Sequence, residues 1–382
     1  MVEDTLVASR QAEGEEETVQ ILAQVDAREN TRDVGSDVKR GEKVLEAGDV
    51  VSAVGGEIGT LAFVGKRSVS FFSRSGGLHS DTAMFQVRVH RRPVIAVLST
   101  GNELVDVQDT SSLHSASSFS AIPDSNRPSL ISILKHLHFD VIDLGIVSDS
   151  MESTTKALKK GMEQSDVIIS TGGTSMGVGD LLKPCIEQEM KGTVHFGRVA
   201  MKPGFVDHFL FRGAAYSVRD SKPTTFATIP AHPMAPNSNP RLVFALPGNP
   251  ASALVTFFLF VLPALRKMEG RRQVDWELPR MRVAVRSIPF RGCEAKLILS
   301  LQLTSDIRLD SRAEYQRVQL RPTKSRQGPS LQAYSTGGQR SSRTVSLAGA
   351  NGLLELPIRS EAVDKLEAGQ EVSCVIIGEM VM

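Results

Sequence analysis

The stretch DVIISTGGTSMGVGD, residues 166–180, decides the fold class. Its first residues form a continuous apolar run, which predicts a strand buried on both faces, because a strand with one solvent-facing side alternates apolar and polar residues. A loop with four glycines follows, and the apolar spacing at 180–190 predicts a helix after it. The stretch is therefore one strand–loop–helix unit.

The same unit recurs on both sides of this stretch. Further strands are predicted at 93–100, 139–145, 194–201 and 241–248. Further helices are predicted at the apolar positions after Pro128, at 153–163 and at 251–268. Strands that alternate with helices at this pace predict an α/β domain over 93–270, with a mostly parallel sheet and helices on both faces.

The flanking regions have a different character. Residues 1–92 are interpreted as a partial, β-rich N-terminal domain, with strands, turns and one short helix within 19–70 and a loop at 71–92. Residues 275–382 contain short strand-like runs separated by turns, including MRVAVRSIPF, EAKLILSLQL, RTVSLAG, GLLELP and EVSCVIIG. They predict a separate all-β C-terminal domain.

Composition narrows the function classes. The 382 residues carry a net charge of +1, so no general affinity for nucleic acid or membranes is expected. The acidic start is unlike a secretory signal, and the apolar run 251–265 is too short to span a bilayer. Cys185, Cys293 and Cys374 lie far apart, which argues against a zinc site or a disulfide framework. A reduced, cytosolic setting is the expectation.

Polar residues follow the predicted strands where each strand ends. Ligands of open α/β sheets bind at these carboxyl ends. Glu103 and Asp180 are carboxylates just beyond two strands, and Asp124 precedes the first helix. The loop 170–180 and the turn LPGNPASA at 246–253 offer free backbone N–H groups and a helix start to an anion. Because Mg²⁺ prefers a few carboxylates together with substrate phosphates, these features predict a magnesium site.

Each feature also has a plainer interpretation. Glu103 alone is a solvated turn carboxylate, and Asp180 alone is the first-turn cap of a helix. The 246–253 turn alone is a stiff connection without a ligand. Lys202, in MKPG, is a surface lysine unless it contacts an oxyanion.

Several long motifs occur in order and share one likeness. They are VIAVLSTGNEL (94–104), DSNR (124–127), LGIVSD (144–149), DVIISTGGTSMGVGD (166–180), VHFGRVAMKPG (194–204), LVFALPGNPASALVTFFLFVLPALRKMEG (242–270), RAEYQRVQL (312–320), STGGQRSSR (335–343) and ANGLLELP (350–357). In these motifs the chain resembles the molybdopterin molybdenumtransferase family, which includes bacterial MoeA and the E domain of gephyrin.

The resemblance implies Mg²⁺-dependent insertion of molybdate into adenylylated molybdopterin, with release of AMP, in a homodimer. It implies catalytic roles for Glu103, Asp124 and Asp180, of which Glu103 and Asp180 would hold the metal. The implied substrate-binding residues are Thr100, Gly101, Asn126, Gly172, Gly173, Thr174, Ser175, Gly177, Lys202, Lys222, Pro247, Gly248, Asn249 and Ser252.

The chain departs from the family's pattern in three places. Family members begin earlier, with Asp-Gly and Thr-Gly-Ala motifs that reach the site across a dimer interface. Residues 71–86 and 205–221 are insertions, either surface loops or retained non-coding sequence, and the second separates Lys202 from Lys222. The loop between Glu103 and Asp124 lacks the family's usual Pro-Gly form.

Two other functions stay open beside molybdate insertion. The chain could be a catalytically impaired, gephyrin-like scaffold that binds molybdopterin and protein partners. It could also be a molybdopterin adenylyltransferase, which shares the α/β fold. The C-terminal β domain and the helix within 251–268 favour the insertion branch over the adenylyltransferase.

Overall fold

The carboxyl ends of three buried strands, and what packs around them, position the candidate site. The computed structural model describes residues 4–11, 14, 16–24, 26–27, 31–52, 54–66, 68–71, 86–108, 121–173, 181–197, 201–202, 224–230, 239–286, 307–325, 328–367 and 371–379. The chain divides into two compact units, Met1–Arg67 and Ser68–Met382.

The unit Met1–Arg67 holds a hairpin and a helix in its described part. Strands β1 (Thr5–Arg10) and β2 (Glu16–Ile21) pair antiparallel. Helix α1 spans Glu57–Phe63, where Glu57 occupies the first turn and Leu61 is buried. The sequence predicts strands, turns and one short helix within 19–70, and α1 is a short helix in this region. Residues 39–51 contain turns and no strand.

The predicted α/β sheet is confirmed in the second unit. In the described residues six strands align in the order β10-β12-β13-β9-β5-β8. They are β5 (Ile95–Thr100), β8 (Val141–Val147), β9 (Val167–Thr171), β10 (Thr193–Phe196), β12 (Thr225–Ile229) and β13 (Arg241–Leu246). Pairs β13–β9, β9–β5 and β5–β8 are parallel, whereas β10 and β12 are antiparallel to their neighbours.

Short strands lie outside this sheet. β3 (Ser68–Phe71) pairs with β4 (Gln86–Val89), so the prediction of a loop over 71–92 is wrong at 86–89. β6 (Leu104–Val105) pairs in parallel with β7 (Ile122–Pro123). This small pairing brings the residues after β5 next to the start of the first helix of the domain.

Helices cover both faces of the α/β sheet. They are α2 (Asn126–His136), α3 (Met151–Gln164), α4 (Leu182–Pro184, continued by a π-helical turn at Cys185–Glu189), α5 (Pro250–Thr256) and α6 (Leu262–Met268), the last two joined by a π-helical turn at Phe257–Val261. Alternate residues of β5 serve the two faces: Ile95 packs in the core under α2, α5 and α6, and Ala96 in the core under α3 and α4. The continuous apolar runs thus reflect burial on both faces, as predicted.

The helix from Pro250 to Met268 is long and apolar enough to cross a membrane by length and composition alone. In the fold, however, 61% of its 18-residue apolar window is buried inside the protein. Phe257, Val261 and Leu265 belong to the core of the α/β domain. The helix is therefore the core helix that the sequence predicts.

The C-terminal region forms a second sheet. Its described strands align in the order β11-β16-β17-β14-β20-β18. They are β11 (Met201–Lys202), β14 (Arg280–Arg286), β16 (Ala313–Ser325), β17 (Gly328–Ser335), β18 (Gly352–Leu356) and β20 (Glu371–Ile376), beside which β15 (Ile307–Arg308) pairs with β19 (Lys365–Leu366). Two strand predictions change here, and a third is not tested. RTVSLAG contains the 3₁₀ turn Thr344–Leu347 instead of a strand, EAKLILSLQL lies outside the described residues, and β11 leaves the α/β sheet for the second one.

Candidate functional site

Three turns at the carboxyl edge of the α/β sheet approach one another closely. A Cβ on Gly172 would lie 2.4 Å from the carbonyl oxygen of Thr100, and a Cβ on Gly173 would lie 2.6 Å from the Thr100 hydroxyl. A Cβ on Gly248 would lie 3.5 Å from the Cα of Gly172. We call Thr100, Gly172, Gly173 and Gly248 the cradle. They come from the ends of β5, β9 and β13, which are neighbours in the sheet.

Glycine is required at the centre of the cradle, because a Cβ there would collide with Thr100 and because the backbone is left-handed. Gly172 and Gly173 have φ values of +81° and +61°, a region in which a side chain is strained. Gly172 also donates its N–H to the carbonyl of Leu246 at 3.2 Å, which ties the end of β9 to the end of β13. The STGG loop and the PGNP turn are therefore one structural unit, although Gly172 and Gly248 are 76 positions apart in the sequence.

The start of helix α2 closes the cradle on one side. Asn126, only 7% exposed, donates from its Nδ2 to the carbonyl of Gly248 at 2.8 Å. Its Oδ1 has no hydrogen-bond partner among the described residues, and neither has the hydroxyl of the fully buried Ser252. Buried polar atoms are ordinarily hydrogen-bonded, and an unpaired one costs about 1–3 kcal/mol. Two unpaired acceptors or donors beside the cradle indicate a place where a polar ligand could complete the bonding.

Asp124 lies beside the cradle and is 2% exposed. Its Oδ1 accepts from the backbone N–H groups of Asn126 at 3.1 Å and Arg127 at 3.2 Å. Its Oδ2 accepts from Nε of Arg127 at 3.1 Å. The carboxylate therefore fixes the first turn of α2.

Arg127 joins three carboxylates. Besides Asp124, its guanidinium pairs with Asp106 at 2.5 Å and with Asp143. Burial alone would lower the pKa of this guanidinium, but the hydrogen bonds and charges of the three carboxylates raise it overall. Arg127 thereby links the segment after β6, the start of α2 and strand β8. It was missed by the sequence prediction, although it stands in the quoted DSNR motif.

Glu103 carries an exposed carboxylate at this edge. Its side chain folds back along the chain, so that a Cβ on Gly101 would lie 2.7 Å from Glu103 Oε2. The neighbouring Asn102 exchanges hydrogen bonds with Asp149: its backbone N–H donates to the Asp149 carboxylate at 3.3 Å, and its side-chain oxygen accepts from the Asp149 N–H at 3.0 Å. The turn that carries Glu103 is thus held in place, while the carboxylate itself faces solvent.

Lys202 occupies a different sheet from the one predicted. On β11 it pairs with Glu314 of β16 in the second sheet. Its ammonium group lies 3.3 Å from the Glu314 carboxylate and 3.5 Å from that of Asp310. The hydrogen bond of Arg312 is the largest cause that lowers the pKa of Asp310 to about 2, and Lys202 adds to it. Sequence reasoning placed Lys202 after a strand of the α/β sheet because the apolar run 194–201 reads as one strand; the described strand ends at Phe196.

The second sheet reaches the site through the segment 336–346. Ser341 accepts a hydrogen bond on its hydroxyl from Asn249 Nδ2 at 3.1 Å, and on its carbonyl from the N–H of Ala251 at 3.0 Å. The PGNP turn is therefore held from the C-terminal region as well as from the cradle. Ser341 was not among the predicted site residues, since only tertiary folding brings it here.

Five predicted site residues lie outside the described residues: Thr174, Ser175, Gly177, Asp180 and Lys222. Within the described ranges no group of three or more metal-ligating side chains could hold an ion. His195 lies exposed on β10 and bonds the Thr228 hydroxyl at 2.9 Å. Among the described residues, Cys185 and Cys374 are free, buried thiols.

Comparison with known proteins decides the family. The profile described as a probable molybdopterin-binding domain matches residues 96–267, and the one described as the MoeA C-terminal region (domain IV) matches residues 300–377. The first match contains the cradle, and the second contains Ser341. The chain belongs to the molybdopterin molybdenumtransferase family.

Three curated relatives illustrate the family. The chain is 35% identical to gephyrin of Dictyostelium discoideum over 92% of its own length and 43% of that protein. It is 30% identical to the molybdenum cofactor synthesis protein cinnamon of Drosophila melanogaster over 97% and 49%, respectively. It is 32% identical to a molybdopterin molybdenumtransferase of Haemophilus influenzae over 66% and 48%. The chain thus spans about half the length of the curated relatives that it matches.

A solved structure supports the fold. A molybdopterin biosynthesis MoeA protein from Pyrococcus horikoshii superimposes with a TM-score of 0.57, at 19% identity, over 98% of this chain and 70% of that one. At this level of identity the likeness concerns the fold alone. It confirms the predicted α/β domain with flanking β-rich regions.

Proposed function

We propose that the cradle binds adenylylated molybdopterin and that the chain inserts molybdate into it with release of AMP. The observation that carries the proposal is the convergence of Thr100, Gly172 and Gly248 beside two buried, unpaired polar atoms. Family membership supplies the chemistry, because molybdenum cofactor biosynthesis is its shared activity. A cytoplasmic homodimer is part of the same proposal.

The cradle suits a phosphate-bearing, polar ligand. Small residues at its centre let the ligand approach the backbone, and strand ends of an open α/β sheet are the usual place for such ligands. Asn126 Oδ1 would accept a hydrogen bond from the ligand, and the Ser252 hydroxyl could donate or accept one. The dithiolene sulfurs belong to the pterin substrate, so the protein needs no cysteine at this place.

The donor set decides how Mg²⁺ would be held. Glu103 is exposed and close to the cradle turn, and Mg²⁺ prefers one or two carboxylates together with substrate phosphates. Asp124 does not fit as a ligand, because Arg127 and two backbone N–H groups already occupy its oxygens. The metal would thus be held by Glu103 and Asp180, and when bound it would neutralise charge on the phosphate bond that breaks.

The remaining residues then have separate tasks. Asp124 and Arg127 hold the start of α2, and α2 holds Asn126 against Gly248. Asn249 and Ser341 hold the PGNP turn from the other side. These contacts keep the cradle preorganised, so that binding does not have to order the turns first.

The test is AMP release by the full chain supplied with adenylylated molybdopterin, molybdate and Mg²⁺. We expect release by the wild type and at least a roughly tenfold slower rate for Asp180→Asn, because that carboxylate positions the metal. Glu163→Gln is the matched control, since Glu163 is exposed near the end of α3. Absence of AMP release by a folded chain that still binds the substrate would reject the enzyme in favour of a scaffold. An unchanged rate for Asp180→Asn would remove this residue from the site.

A further inference from the structure

Arg317 on β16 is the largest side chain in the described core, with an exposed fraction of 0%. Burial lowers its pKa to about 10, and the side chain therefore stays protonated at neutral pH. A buried charge is unfavourable unless hydrogen bonds compensate it. An apolar side chain could fill the same space, so packing alone does not explain an arginine at position 317.

Every hydrogen bond described for the Arg317 side chain goes to the 336–346 segment. Nε and Nη2 donate to the Ser346 hydroxyl at 3.1 and 2.9 Å, and Nη2 also donates to the carbonyl of Arg340 at 3.2 Å. Nη1 has no partner among the described residues. The guanidinium thus hydrogen-bonds to both ends of a short stretch of chain, at Arg340 and at Ser346.

The backbone of Arg317 holds the same segment. Its N–H donates to Gln339 Oε1 at 2.8 Å. Its carbonyl accepts from Gln339 Nε2 at 3.1 Å and from the Thr336 hydroxyl at 2.9 Å. The same Thr336 hydroxyl, with its one proton, lies between two acceptors, the second being the carbonyl of Ser346 at 2.6 Å. The segment is therefore folded around this one residue of the second sheet.

The residue after Arg340 is Ser341, which contacts the PGNP turn. It accepts from Asn249 Nδ2 and from the N–H of Ala251. A continuous path of hydrogen bonds consequently runs from the Arg317 guanidinium through the Arg340 peptide to the turn that carries Gly248. Displacement of the 336–346 segment would release the turn from this side.

We propose that Arg317 is a positioning residue, which fixes the 336–346 segment so that Ser341 holds the PGNP turn in its substrate-binding conformation. The inference rests on the proposed function for the meaning of that turn. The planar fork is what the task requires, because two nitrogens reach the hydroxyl of Ser346 while one also reaches the carbonyl of Arg340. A lysine retains the charge but presents a single nitrogen.

Hydrogen–deuterium exchange on the full chain tests the path without substrate. The reporters are the N–H of Arg343, which donates to the Arg340 carbonyl at 3.1 Å, and the N–H of Ala251. We expect both to exchange at least roughly tenfold faster in Arg317→Lys and Arg317→Gln, because the bonds that are lost involve a charged donor. Arg321→Gln is the control, since Arg321 lies on the same strand, is exposed and bonds Gln319.

Ser346→Ala provides a second variant, which keeps the buried guanidinium and removes its principal acceptor. It should show the same faster exchange at Ala251. Wild-type exchange at Ala251 in Arg317→Lys, or in Ser346→Ala where the arginine variants fail to fold, would overturn the proposal. If the N–H of Ala251 exchanges faster in Arg317→Gln but at the wild-type rate in Arg317→Lys, Arg317 supplies only a buried charge and does not position the segment.

Kinetics separate this inference from the proposed function. With an active wild type, Arg317→Lys should raise KM for adenylylated molybdopterin severalfold more than it lowers kcat, because a loosened turn binds the substrate less well. A lowered kcat at unchanged KM would contradict positioning of the binding turn. Absence of AMP release by the wild type would overturn the proposed function alone, since the exchange result does not depend on turnover.

Discussion

Replacement of Gly172 by alanine probes the close approach on which the cradle depends. The new Cβ would lie 2.4 Å from the Thr100 carbonyl oxygen, a separation at which the backbone must shift. Gly172 also has a φ of +81°, which an alanine adopts at a cost of about 1–2 kcal/mol. Overpacking of a tight contact adds about 1–3 kcal/mol. The sum is a loss of about 2–5 kcal/mol in the free energy of unfolding.

Gly145→Ala supplies the matched control. Gly145 has nearly the same φ, +78°, but no heavy atom lies within 4 Å of the position of its Cβ. Only the conformational cost of about 1–2 kcal/mol applies there. The difference between the two variants, about 1–3 kcal/mol, therefore measures the contact between the ends of β9 and β5.

Urea unfolding followed by circular dichroism gives both values. We expect a lower midpoint for Gly172→Ala than for Gly145→Ala at a similar slope, because the surface exposed on unfolding is unchanged. Equal midpoints for the two variants would refute the close packing of the three turns, and with it the geometry assigned to the cradle.

Two further predictions concern charged groups. Asp124→Asn should lower the free energy of unfolding by about 1–3 kcal/mol, because the buried carboxylate bonds Arg127. Asp143→Asn should lower it by less than about 1 kcal/mol, because Asp143 is half-exposed. Equal urea midpoints for the two variants would contradict this ranking. The lowered pKa of Asp310, about 2, stabilises the folded state above about pH 4, and this contribution of about 1–2 kcal/mol is lost as the pH falls towards 2. The stability difference between wild type and Asp310→Asn should therefore shrink between pH 5 and pH 2, and a pH-independent difference would refute the assignment.

The sequence predicts those parts of the fold that local pattern determines. The apolar runs of β5, β9 and β13 are buried on both faces because helices cover the sheet on both sides, and this follows from their composition. The glycines after β9 indicate a turn for the same local reason. The prediction fails where short segments are ambiguous: Thr344–Leu347 is β-branched at two positions, yet it folds as a 3₁₀ turn that places Ser346 under Arg317.

The contacts around the cradle could not be predicted, because they join residues far apart in the chain. Nothing local to DSNR indicates that Arg127 pairs with Asp143 of β8. Likewise, β11 belongs to the second sheet because it pairs with β16. This pairing places Lys202 beside Asp310 and Glu314. Long-range pairing of this kind leaves no periodicity in the sequence.

Equilibrium binding of adenylylated molybdopterin to the full chain tests the central claim most directly. We expect the wild type and Gly145→Ala to bind with the same affinity, and folded Gly172→Ala to bind at least roughly tenfold more weakly, because the displaced turn no longer presents its backbone to the ligand. Wild-type affinity in a folded Gly172→Ala variant, or no binding by the wild type, would contradict the assignment of the cradle as the molybdopterin site.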